Sequence, residues 1–116
     1  MRWLYFLCGL IPVLVFAQDF QIEKVQYLVY ERNWNALEQK LNSGEIVFPE
    51  GERASSDFIL GYSLLKQGKT RESIEPLSKV AESASPLSIY AHYYLGKVYA
   101  DLEQGASAEE HYLKVS

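Results

Sequence analysis

Two short patterns in this chain place reactive side chains at spacings that enzymes use. Ser63 stands three residues before Lys66, as in enzymes whose lysine activates a serine nucleophile, and Gly68, Lys69 and Thr70 match the end of a phosphate-binding loop. The serine enzymes need two further motifs that this sequence lacks, and the phosphate loop needs glycine rather than serine at position 63. We therefore interpret these residues as parts of a helix and a turn. The sequence predicts a protein that is not an enzyme and has no catalytic residues, with an enzyme as a remote alternative.

The side chains that could hold a metal ion are few. His92 and His111 are the only histidines, and Cys8, the only cysteine, lies in the apolar start of the chain. Glu109 and Glu110 precede His111 directly, but adjacent residues of a helix point about 100° apart and cannot converge on one ion. The sequence predicts no metal site and no cofactor. We expect His92 to be a half-buried packing residue and the segment around His111 to be a solvated helix face.

Charge and composition exclude other classes of partner. The 116 residues are 48% hydrophobic and 22% charged, which is typical of one globular domain. Lysine and arginine number 11 against 15 acidic residues, and the basic residues are scattered singly. Nucleic acid requires clustered cations, so we expect no nucleic-acid partner.

The beginning of the sequence predicts a targeting signal. Arg2 precedes an uncharged run over residues 3–16, which ends in a small-residue pattern typical of a secretory cleavage site. The alternative is a membrane anchor, but a spanning helix needs about 20 apolar residues, and this run is shorter and contains Pro12. We expect residues 1–17 to be a signal peptide removed before Gln18. The expected location is the periplasm or cell envelope of a bacterium, without stable membrane insertion after cleavage.

The remaining residues repeat with a period of 35 and show helical spacing. Large residues fall on large and small on small, and the apolar positions recur at intervals of three and four. The matching pairs are Leu60 and Leu95, Gly61 and Gly96, Leu64 and Tyr99, Ser73 and Ala108, Leu77 and Tyr112, and Val80 and Val115. The sequence therefore predicts an all-α fold with two equivalent helical units.

The boundaries of these helices also have sequence signals. Gly68 is expected to end the first helix of the earlier unit, and Ser85 is expected to cap a helix that begins at Pro86. Thr70 is expected to cap the second helix, in which Pro76 would produce a kink. Alternatively, that helix begins nearer residue 72, and the proline then lies in its tolerated first turn.

The repeated pattern resembles the tetratricopeptide repeat family. The residues that carry the resemblance are Leu95, Gly96, Tyr99, Ala108, Tyr112 and their partners 35 positions earlier, with Pro86 between the units. The family's usual tryptophan position holds Asp57 in one unit and His92 in the other. The resemblance implies stacked antiparallel helix hairpins, an α-solenoid, with repeats at about residues 54–88 and 89–116. It implies no fixed activity.

A third, weaker unit precedes these two. Residues 22–30 and 34–41 have helical patterns separated by a turn at Arg32 and Asn33, and a linker rich in turn residues follows at 44–51. We interpret residues 18–53 as a degenerate N-terminal hairpin with its linker, which makes about three hairpins after the signal peptide.

An aromatic and charged stripe indicates where a partner would bind. Tyr90, Tyr93, Lys97 and Asp101 share one helix face, and a shift of 35 places Phe58, Tyr62 and Lys66 on the equivalent face. In the tetratricopeptide family the matching positions line the concave groove that holds peptides, so the resemblance implies that a protein segment binds here. The alternative is that these aromatic residues are shared core between neighbouring helices.

The end of the last helix suggests a second surface. Tyr112, Leu113 and Val115 are apolar, and no capping helix follows them in the sequence, so we expect them to be partly exposed.

The preferred hypothesis is a non-enzymatic adaptor or scaffold that binds a protein or peptide in the groove. The alternative hypothesis is a structural subunit that self-associates or docks through this helix.

Overall fold

A computed structural model describes residues 22–115, and these residues form six α-helices. Helix α1 includes residues 22–30, and the others are α2 (Trp34–Ser43), α3 (Arg53–Lys66), α4 (Ile74–Ala81), α5 (Ser88–Asp101) and α6 (Gly105–Val115), with a short 3-10 helix at Glu50–Glu52 before α3. Residues 22–115 contain no strand, so the predicted all-α class is confirmed. The predicted signal peptide, residues 1–17, lies outside the described part of the chain.

Helices α1 and α2 form the hairpin that the sequence predicted before the two repeats. The turn at Arg32 has a φ of 55°, and the side chain of Asn33 accepts a hydrogen bond from the Ala36 N–H at the start of α2. The apolar faces of the two helices meet at Val25, Leu28 and Leu37, which are almost fully buried. Burial of this shared face holds α1 on α2.

The linker between α2 and α3 is part of the packed structure. Gly44 ends α2 in the left-handed conformation, with a φ of 80°. Two residues later Ile46 is only 3% exposed and joins the α1–α2 core. Beside it, the Glu45 carboxylate accepts hydrogen bonds from Lys24 on α1 and Lys40 on α2 at 3.1 Å. The linker therefore closes the end of the first hairpin.

Helices α3 and α4 pack against each other at a point where one helix has no side chain. Gly61 of α3 faces Leu77 of α4, and a Cβ atom on Gly61 would lie 2.7 Å from Cγ of Leu77. Gly68, with a φ of 79°, follows the end of α3, and its N–H donates to the Leu65 carbonyl. The prediction that Gly68 ends this helix is confirmed.

The predicted kink in α4 is wrong. The helix begins at Ile74, and the residues from Thr70 to Ser73 form a turn. Pro76 is the third residue of the helix, where no intrahelical partner exists for its missing N–H. The alternative start near residue 72 was closer to the observed boundary.

Helix α5 begins two residues later than the sequence predicted. Pro86 lies in a turn, and the helix starts at Ser88. Ser85 still has a local role, since its hydroxyl accepts a hydrogen bond from the Leu87 N–H at 3.1 Å. The Ser-Pro pair therefore shapes the turn that leads into α5 instead of capping the helix itself.

The helices pack in the order of the chain, with α2 on α3, α3 on α4, α4 on α5 and α5 on α6. Leu77, Leu95 and Val98 form the buried centre between α4 and α5. The residue equivalent to the fully buried Leu77 is Tyr112 on α6, which is 38% exposed. This difference arises because α5 covers α4, whereas the outer face of α6 is open in the described structure. The predicted exposure of Tyr112, Leu113 and Val115 is confirmed.

Within residues 22–115, no helix has the length and apolar character that crossing a membrane requires.

Candidate protein-interaction surface

Six aromatic side chains from four helices form a continuous series of ring contacts, which we term the aromatic ridge. Aromatic pairs prefer edge-to-face or offset geometry with ring centroids about 4.5–7 Å apart, and every contact in the series falls in this range. The members of the ridge are Trp34 of α2, Phe58 and Tyr62 of α3, Tyr93 and Tyr94 of α5, and Tyr112 of α6.

The geometry of the ridge centres on Tyr94. Its ring lies 5.9 Å from Phe58, 5.6 Å from Tyr62 and 5.4 Å from Tyr93, each in an edge-to-face arrangement. Beyond these, Trp34 contacts Tyr62 at 5.3 Å and Tyr112 contacts Tyr93 at 6.3 Å. Tyr94 therefore joins α3 to α5 and makes one surface from rings that belong to different hairpins.

Two lysines cover tyrosine rings on the ridge. The Lys66 ammonium lies 5.3 Å from the centroid of Tyr62, and the Lys97 ammonium lies 5.0 Å from that of Tyr93. The Tyr93 side chain raises the pKa of Lys97, chiefly as a hydrogen-bond partner of the ammonium. Both pairs are four residues apart on one helix, so the spacing that defined the stripe in the sequence also places each cation over a ring.

The structure brings together most of the predicted groove residues. Phe58 and Tyr62 are half-buried within the ridge, and Tyr93 is 40% exposed at its surface. Tyr90 is 59% exposed, and neither it nor Asp101 makes a ring contact or an ion pair with another residue of the described chain. Of the predicted stripe, the α3 rings Phe58 and Tyr62 take part in packing, whereas Tyr90 and Tyr93 of α5 are exposed.

Sequence reasoning missed Trp34, Tyr94 and Tyr112 as members of this surface. Tyr94 follows Tyr93 directly, and the helical period assigned it to the buried side of α5. Its side chain is half-buried between α3 and α5, so it belongs to the core and to the ridge together. A usable signal was the number of aromatic residues on consecutive helices.

A contact between two histidines joins α5 to α6. Nδ1 of His92 and Nδ1 of His111 are 2.9 Å apart, and the His111 ring stacks on Tyr99 at 5.4 Å with planes tilted by 6°. Burial lowers the pKa of His111 most, and the nearby His92 lowers it further. The expected solvated face is wrong for His111, which is half-buried, although Glu109 and Glu110 are exposed. His92 is half-buried as predicted.

Two clefts lie away from the ridge. One, of about 530 Å³, is bounded by the linker after α2 and the first turns of α3, with Ile46, Phe48 and Arg53 among its walls. The other, of about 340 Å³, lies between α2, α3 and α4 and is lined by several carboxylates. None of the predicted groove residues lines either cleft. In the described residues no group of three or more histidine, cysteine or acidic side chains is arranged to hold a metal ion.

Comparison of the chain with protein-family models, with curated proteins and with solved structures gave no match.

Proposed function

We propose that the protein is a non-enzymatic interaction module that binds an extended segment of another protein along the aromatic ridge. The observation that carries this proposal is the continuity of the ridge from α2 to α6 together with the exposure of its α5 side. Tyr90 beside the ridge and Tyr93 on it present large apolar area with a polar hydroxyl, the combination that is enriched at protein interfaces.

The dimensions of the ridge suit a short extended segment. Four ring-to-ring steps of 5.3–6.3 Å lead from Trp34 through Tyr62, Tyr94 and Tyr93 to Tyr112. These steps limit the separation of the two ends to at most roughly 23 Å, the length of about seven residues of extended chain. A segment of this size would contact all four helices that contribute rings.

The charges beside the ridge favour an acidic segment. Lys24, Lys40, Lys69 and Lys79 each pair with a carboxylate of the protein. Lys66 and Lys97 instead rest on tyrosine rings, where a carboxylate of a partner can reach them. The chain as a whole carries a net charge of −4, so these two lysines make the ridge a local cationic site on an otherwise acidic protein, and an acidic segment is attracted to this site.

The resemblance of the repeated pattern to tetratricopeptide proteins supports the same function, because that family uses the matching helix faces to hold peptides. The apolar start of the sequence supports export to the periplasm or cell envelope. In this proposal the module is an exported adaptor or scaffold.

Selection of random dodecapeptides displayed on phage against the immobilised protein tests the proposal. We expect enrichment of peptides that combine apolar or aromatic residues with Asp and Glu. Replacing Tyr90 or Tyr93 with alanine should weaken binding of the selected peptides about tenfold or more, the usual effect of losing an aromatic anchor. Tyr27→Ala is the matched control, because Tyr27 is 62% exposed on α1 and makes no ridge contact. Failure to enrich any peptide, or equal loss with the control variant, would show that the ridge is not the binding surface.

A second candidate function is self-association through α6. Tyr112, Leu113 and Val115 are 38%, 66% and 36% exposed, whereas Leu77 and Val80, the equivalents of Tyr112 and Val115, are fully buried by the next helix. A second copy of the chain could cover this face as α5 covers α4. Sedimentation of the protein and of Leu113→Glu distinguishes the two functions. A monomer in both cases contradicts self-association and leaves peptide binding unaffected.

A further inference from the structure

We propose that His92 and His111 form a proton-sensitive clasp that holds α6 on α5 near neutral pH and releases it in mildly acidic solution. The clasp is inferred from the position of the two imidazoles, which belong to different helices and meet across the α5–α6 contact. We further propose that the clasp regulates binding at the ridge, and this second step rests on the proposed function.

The geometry of the pair allows one shared proton and excludes two. At 2.9 Å, one Nδ1 must donate its hydrogen while the other accepts it through a lone pair. If both rings are protonated, two N–H groups point at each other and two positive charges stand at hydrogen-bond distance. The contact then changes from attraction to repulsion, which favours local separation of α6 from α5.

The surroundings do not neutralise the second charge. On α6 itself, Glu110 favours the protonated form of His111, and Lys114 opposes it. From α5, His92 opposes protonation, and Tyr99 contributes a stacked ring. On α4, Glu75 pairs with Lys79 of the same helix and not with either histidine. Partial burial of the His111 ring further disfavours its charged form.

Opening of the clasp would alter the ridge. Helix α6 supplies Tyr112, whose ring packs against the helix surface at Gly96 and contacts Tyr93 at 6.3 Å. Tyr112 and His111 are adjacent in the sequence, so displacement of His111 from His92 also moves Tyr112. Acidification is therefore expected to remove one end of the ridge and weaken capture of a bound segment.

Hydrogen exchange of the full chain at several pH values tests the clasp. After correction for the intrinsic pH dependence of exchange, amides of α6 should exchange about tenfold faster at pH 5.5 than at pH 7.5, whereas amides of α3 should not change. In His92→Gln and His111→Gln the difference between the two pH values should disappear. An unchanged α6 in the native chain, or the same pH response in both variants, overturns the clasp.

An NMR titration of the two imidazoles provides a readout that does not depend on the variants. We expect protonation of His111, whose pKa is lowered by burial and by the facing His92, to be accompanied by shifts of α6 amides. Protonation of His111 without amide shifts in α6 would overturn the clasp.

Peptide binding at both pH values separates this inference from the proposed function. Capture at pH 7.5 that weakens at pH 5.5 only when both histidines are present supports regulation of the ridge. Opening of α6 without any change in capture overturns that regulation. Absence of capture at pH 7.5 contradicts the proposed function and leaves the clasp to be judged by exchange alone.

Discussion

Gly96 of α5 lies directly under the ring of Tyr112 on α6, so that a Cβ atom at this glycine would be 2.5 Å from the ring. Gly61 stands in the same relation to Leu77 on α4, 35 positions earlier for both residues. The α3–α4 and α5–α6 hairpins therefore pack in the same way: a glycine in the first helix allows a large side chain of the second helix to approach the backbone of the first.

The first prediction compares alanine at the two glycines. Gly61→Ala should destabilise the protein by about 1–2 kcal/mol, because Leu77 is fully buried and overpacking costs more than the helix propensity that alanine gains. Gly96→Ala should remain within about 1 kcal/mol of the native chain, since the partly exposed Tyr112 can swing away. Chemical denaturation measures both values. A larger loss for Gly96→Ala would contradict the packing difference described for α4 and α6.

A second prediction concerns the centre of the ridge. Tyr94→Ala removes ring contacts to Phe58, Tyr62 and Tyr93 and should destabilise the protein by about 3 kcal/mol or more. Tyr90→Ala, on an exposed position of the same helix, should change stability by less than about 0.5 kcal/mol. Thermal unfolding followed by circular dichroism makes the comparison. Equal effects would mean that Tyr94 does not connect the two hairpins.

A third prediction follows from the acid dependence of Glu38. Its carboxylate accepts hydrogen bonds from Lys69 at 2.8 Å and Gln67 at 2.9 Å, which tie α2 to the turn after α3. The Lys69 hydrogen bond is the main cause that lowers the pKa of Glu38 below its ordinary value of 4.5, although partial burial opposes it. The unfolded chain therefore binds this proton at higher pH than the folded chain, and the stabilisation is present above pH 4.5 and lost as the pH falls through the folded pKa.

Measurement of unfolding free energy against pH checks this effect. Glu38→Gln should flatten the loss of stability below pH 4.5, with a difference of less than about 1 kcal/mol because the pair is partly solvent-screened. Glu75→Gln is the control, since Glu75 is exposed and its pair with Lys79 is longer, at 3.6 Å. If the unfolding free energy of Glu38→Gln and of the native chain depended on pH in the same way, the hydrogen bonds of Glu38 would not contribute to stability.

A fourth prediction tests the position of Pro76. Because it lies in the first turn of α4, Pro76→Ala should change the free energy of unfolding by less than about 1 kcal/mol. A proline within a helix interior would instead be relieved by alanine, with a gain approaching 3 kcal/mol. Such a gain in denaturant unfolding would place the start of α4 before residue 74.

Much of the fold could be predicted because the responsible interactions are local or repeat at a fixed spacing. The hairpin at residues 22–43, the end of α3 at Gly68 and the equivalence of Gly61 with Gly96 follow from turn residues and helical period. The start of α4 was misplaced because Thr70 is a good capping residue, whereas residues 70–73 form a turn in which the Ser73 hydroxyl donates to the Thr70 carbonyl at 2.6 Å.

The candidate site was only partly predictable, since it depends on how neighbouring helices are aligned. The spacing within α5 places Tyr90, Tyr93 and Lys97 on one face without reference to another helix. The contact between His92 and His111 requires a particular register of α6 on α5, which no local pattern encodes. For the same reason the sequence could not show that Tyr94 bridges the hairpins.

The succession of helix contacts along the chain has a mechanical consequence. Because most helix contacts join immediate neighbours, and Tyr94 adds a direct contact between α3 and α5, a disturbance at one end of the described helices reaches the other through a short series of contacts. A segment lying on the aromatic ridge would touch α2, α3, α5 and α6 together. The bound segment would then link distant hairpins, so that they unfold as one unit. A mechanical force applied to either end of the protein would be borne partly by the bound segment.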